Sequence, residues 1–171
     1  MSYRDAVQGW HDFYLASGAA SATLAGLLFV GLSLHLRAVI NHPEVRSLAR
    51  ITLSDFFVVL VVSLFVLIPT AQPKQTAVEM VGVGVLSLLL AAPATREAVR
   101  SRRARLIRLT TLAARFGLSI LAYVVVAVTA VLFFRGDFED GLGWLVVGVV
   151  VLLLVAVRNT WDLLVTVADK S

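Results

Sequence analysis

Residues 13–34 read Phe-Tyr-Leu-Ala-Ser-Gly-Ala-Ala-Ser-Ala-Thr-Leu-Ala-Gly-Leu-Leu-Phe-Val-Gly-Leu-Ser-Leu, with no charged residue from end to end. A hydrocarbon core about 30 Å thick takes about 20 helical residues, and this run has that length. Backbone groups in lipid must be paired within the structure, which leaves helices or closed barrels. The run has none of the period-two alternation of a barrel strand, so it reads as a membrane-spanning helix.

Working outward, four more apolar runs follow: Ile51–Thr70 with Asp55 inside, Ala77–Ala92 with Glu79 near its start, Leu109–Phe134 with Arg115 inside, and Gly141–Val157. The expected fold is all-α: a polytopic transmembrane helical bundle of five helices, at about 13–36, 51–70, 76–93, 108–134 and 141–160, in a single domain over 1–171. The third run is short, holds Gly82 and Gly84 and ends at Pro93. The alternative is therefore four spans plus a re-entrant or interfacial segment. Connections are compact: a turn at Asn41–Glu44, a corner at Pro69–Pro73, a basic loop at Arg96–Arg108 and a link at Gly136–Gly141. No linker marks a second domain, and no inverted repeat of the transporter kind is visible.

Composition agrees. The chain is 59% hydrophobic and 15% charged, against roughly 45–50% and 25% in soluble domains. It has no cysteine, which excludes disulfides, thiolate metal sites, cysteine nucleophiles and covalent c-type haem. Arg4, Asp5, His11 and Asp12 precede the first run without a cleavage pattern, so the first helix is expected to stay. Ser2 occupies the position where myristoylation needs glycine.

Lys and Arg in short loops set orientation. With five spans, Arg37, Arg46, Arg50 and the arginines of 96–108 fall on one side with Lys170, and Arg4, Lys74 and Arg135 on the other. The heavy side is expected to be cytoplasmic, with the N-terminus outside and the C-terminus inside. Asp5, Asp12, Glu79, Asp137, Glu139 and Asp140 then make the outer side acidic. Trp10, Phe13, Tyr14, Trp144 and Trp161 fit interfacial aromatic belts.

Two stretches carry a resemblance. Trp10 to Tyr14 followed by Ser17–Gly31, together with Arg158-Asn-Thr-Trp-Asp-Leu-Leu-Val165, resemble a family of small bacterial multi-pass membrane proteins with no assigned activity. The likeness covers both ends of the sequence, about a quarter of it. It implies a multi-pass topology in a bacterial cytoplasmic membrane and carries over no functional residue.

In the first span, Gly18, Ala22 and Gly26 recur every four residues, the spacing that lets helix backbones approach closely in lipid. Self-association through this helix is expected. Ser17 and Ser21 lie one turn apart and serve either tight packing or a pore-lining seam. Asp55 and Arg115 are costly in a membrane and are candidates by default. Counted from Arg50 and Arg108, both sit about 8 to 10 Å in from the cytoplasmic side. The simplest neutralisation is an ion pair between them; the alternative is that one faces water. Glu79 enters the third span from the acidic side, as a cation-focusing group near an oligomer axis or as an interfacial carboxylate.

His35, Arg158, Asn159 and Asp162 share the cytoplasmic level as a polar girdle, suited to a gate, a partner site or plain anchoring. Arg96, Arg100, Arg102, Arg103, Arg105 and Arg108 can attract anionic lipids at about 1 kcal/mol per charge, or are an ordinary positive-inside signal. No aromatics interleave with them, so nucleic-acid binding is not expected. His11, His35 and His42 lack metal-ligand spacing with carboxylates, and no phosphate loop or catalytic triad is legible. No enzyme activity, metal or cofactor is expected. A shared haem fits poorly, because His11 and His35 lie on opposite sides.

The functional expectation is a homo-oligomeric, channel-like pore for small ions. The rival is a non-conducting accessory or regulatory subunit of a larger membrane complex. A coupled transporter is disfavoured by the missing repeats and by the lack of a carboxylate placed near the bilayer midplane.

Overall fold

The computed structural model describes residues 3–68, 72–103 and 117–168, which are helical almost throughout and contain no strand. The elements are α1 (Tyr3–Leu34), α2 (Leu36–Asn41), α3 (Pro43–Val66), α4 (Pro73–Arg103), α5 (Leu118–Arg135) and α6 (Phe138–Ala168). Five of them, all but the short α2, are long and apolar enough to cross a membrane.

α1, α3, α4 and α6 extend beyond the apolar stretches that mark them, because hydropathy records the lipid-facing part and hydrogen bonding continues into polar sequence, while the start of the fourth expected helix lies outside the described residues. α1 starts ten residues before Phe13. α3 starts at Pro43 rather than at residue 51, with the proline in the first turn, where its missing N–H is no loss. The third span is a full one. α4 runs through Pro93 to Arg103, so the short-segment alternative is set aside. Pro93 removes one backbone donor, and nearby the Thr95 hydroxyl donates to the carbonyls of Ala91 and Ala92 at 3.0 and 2.9 Å. The first part of the expected basic loop, as far as Arg103, is thus helix. The links are also tighter than expected: Gly136, at φ 89°, closes α5 in the left-handed conformation that glycine adopts without penalty, and α6 begins two residues later.

α1 packs on α3 and α6, α3 on α4, α4 on α5, and α5 on α6, while α3 leans inward to touch α6 as well. Spans that follow one another in sequence run antiparallel, α1 and α6 run parallel, with Tyr14 near Leu142 and Gly31 near Leu164, and α3 stands nearest the centre. The core includes Tyr14, Ile51, Phe56, Val59, Met80, Tyr123, Leu145 and Leu152, each no more than 1% exposed. Gly84 permits the closest approach: a Cβ there would stand 2.7 Å from the Ala127 Cβ and 3.1 Å from its backbone. At one end of the bundle the Tyr3 ring meets Phe133 and Phe138 edge-on, with centroids 6.0 and 5.4 Å away, and its hydroxyl lies 2.8 Å from that of Thr76.

Candidate functional site: a buried carboxyl between α3 and α5

Starting α3 at Pro43 puts Asp55 near the middle of that helix. At 1.5 Å per residue it lies about 18 Å from one end of the helix and about 16 Å from the other, in the middle of the bundle. The count from Arg50 measures another distance: Arg50 stands two turns inside α3, and Asp55 lies about 8 Å farther along the axis.

Asp55 is 0% exposed. The Ser119 hydroxyl donates to Oδ2 at 2.8 Å and the Tyr123 hydroxyl to Oδ1 at 2.5 Å, so each carboxyl oxygen has its own donor from α5. Ser119 and Tyr123 are also fully buried. They are four residues apart and therefore share one helix face. Half-buried Ser54 lies beside Tyr123. Burial of a carboxyl is costly unless its lone pairs are met, and this arrangement meets them with neutral hydroxyls. The expected partner, Arg115, lies outside the described residues.

The other expected residues separate. Ser21 is fully buried and donates to the Phe56 carbonyl of α3 at 2.6 Å, and Ser17 is buried beside it on the same face. Both serve the packing between α1 and α3. Gly18 lies against Ser63, with 3.0 Å from its would-be Cβ to the Ser63 Cβ, whereas Gly26 has nothing within 4 Å and Ala22 faces outward. The four-residue ladder is thus divided between inside and outside. Glu79 accepts from Gln75 at 3.0 Å, and its other oxygen is buried without a partner. It is half-buried near the Tyr3 end of the bundle rather than at its centre.

At the opposite end, Arg158 points outward, Asn159 is completely buried and Asp162 is half-buried. Half-buried His35 places its ring Nδ1 3.2 Å from the Gly31 carbonyl. These residues share a level but face different directions. Arg96 is exposed; Arg100, Arg102 and Arg103 lie on the last turns of α4, and Arg105 and Arg108 lie outside the described residues.

Sequence reasoning missed Ser119, Tyr123 and Ser54. A signal existed: Ser119 and Tyr123 continue from Arg115 at steps of four, a polar stripe along an otherwise apolar run. In the comparisons with known proteins, no family model, no curated protein and no solved structure matches this chain.

Proposed function

We propose that this integral membrane protein is a non-conducting accessory or regulatory subunit, joined to partner helices through the outward face of α1. One observation supports this reading over a pore on an oligomer axis: the polar side chains deep in the spans turn into the subunit. Ser17, Ser21, Thr52, Asp55, Ser63, Ser87, Ser119 and Thr129 are buried, and the outward faces carry Leu27, Phe29, Val30, Val85, Leu89, Leu121, Val128 and Leu154. Thr23 and Ser33, which do face outward on α1, bond back to the Ala19 and Val30 carbonyls of their own helix. An axis between copies would be lined with apolar groups and would not wet readily.

The face of α1 that includes Ala19, Ala22 and Gly26 offers the small side chains that membrane helices use to approach one another. α1 is also the least covered span, with 22% of its most apolar window buried against 56% for α3. The resemblance noted above and the arginine distribution favour a bacterial cytoplasmic membrane, with the Tyr3 end of the bundle outside. The arginines from 96 to 108 then stand where anionic head groups can bind, and no catalytic role is proposed.

The natural absence of cysteine makes the test clean. Single cysteines at Ala22 and Gly26 are expected to cross-link to a partner helix in native membranes, and one at Leu154 is not. Purified protein in liposomes is expected to pass no ions. A closed ring of copies with ion flux would overturn this reading and restore the pore.

A further inference from the structure

A hydroxyl partner differs from a cation beside a buried carboxyl, because it both donates and accepts and can rotate to do either. When Asp55 is ionised, Ser119 and Tyr123 both donate to it, as the distances of 2.8 and 2.5 Å describe. When Oδ1 gains a proton, the new O–H donates to the Tyr123 hydroxyl oxygen. The Tyr123 hydrogen then turns away, and Ser119 keeps its bond to Oδ2. Each carboxyl oxygen is hydrogen-bonded in both forms, and no heavy atom of the site has to move. A fixed cation would hold the ionised form alone. Among the described residues, no basic side chain meets Asp55.

We propose that Asp55, set between Ser119 and Tyr123 at the centre of the bundle, is a proton-exchange site. Its carboxylate binds one proton and returns it, with Ser119 and Tyr123 as its hydrogen-bond partners. A metal ion fits the site poorly, because the hydroxyls already close on both carboxyl oxygens and would have to be pushed away.

The surroundings suit a single titrating group. Tyr123 is the titratable side chain that α5 brings against it, and α1 presents Ser21 at this level, bonded to the Phe56 carbonyl. On α4 and α6 the nearest charged residues in the described sequence are Arg96 and Arg158, about one turn from the level of Ser119 and both exposed, while Glu79 stands farther off. This follows from Gly84 meeting Ala127 and Gly148 meeting Val126, which fix the levels. Arg115, one turn before Ser119, lies outside the described residues. The proposal does not depend on what α1 meets.

The test is infrared difference spectroscopy on the full-length protein in nanodiscs, comparing acid and alkaline buffers. The expected result is a protonated-carboxyl C=O band that comes and goes reversibly with pH and is lost in Asp55→Asn. Its frequency is expected to shift in Tyr123→Phe and in Ser119→Ala, each of which removes one hydrogen bond while keeping the carboxyl. Those two variants read the site even where Asp55→Asn does not fold. A spectrum with no Asp55-dependent change across the pH range would overturn the proposal, as would a band that neither hydroxyl variant moves.

Discussion

Gly18 and Gly26 belong to one helix and one four-residue ladder, yet they meet opposite surroundings: Gly18 presses on Ser63, and Gly26 touches nothing. A step of four residues overshoots a turn of 3.6, so two steps rotate a position by about 80° around the helix. Over that angle the ladder passes from the interior to the lipid. The same contrast holds between α3, buried over most of its span, and α1, which is largely uncovered although the two have nearly equal mean hydropathy. Hydropathy therefore selects what enters the membrane, whereas small residues and hydroxyls decide which faces meet.

This contrast between inside and outside can be tested by substitution, with stability followed by circular dichroism during detergent unfolding. The largest effect is expected for Gly84→Val, which drives side-chain atoms into the Ala127 backbone, at a cost of about 3 kcal/mol. Asp55→Ala is expected to cost about 2 kcal/mol, because the Ser119 and Tyr123 hydroxyls lose their acceptor inside the bundle. Gly18→Ala, which brings a methyl to 3.0 Å from the Ser63 Cβ, is expected to cost about 1 kcal/mol. Gly26→Ala should leave the subunit's own stability unchanged or raise it by up to about 1 kcal/mol, since alanine favours helix and the site is open. Equal losses at Gly18 and Gly26 would erase the distinction drawn between the two faces.

The five spans were legible because each carries close to 20 residues of nearly uncharged sequence, and that length has one economical explanation. Helix ends were less legible. Arg46 and Arg50 look like loop residues by charge, but both stand within α3. Tyr123 was read as part of an apolar run because tyrosine is compatible with the membrane. Its hydroxyl became significant only when the fold set it opposite Asp55, 68 residues away in sequence. That proximity depends on which helices are neighbours, and periodicity within one helix holds no information about it. Ser17 and Ser21 were recognised as a stripe, but the side they face is likewise set by the arrangement of α1 on α3.

The aromatic cluster at Tyr3 also bears on how the protein is assembled during synthesis. Tyr3 precedes the first span, while its partners Phe133 and Phe138 flank the junction of the last two helices. A ribosome makes these residues far apart in time, so this end of the bundle stays open until α5 and the start of α6 have entered the membrane. Through that interval, the segment before the first span has its hydroxyl and ring contacts still to make.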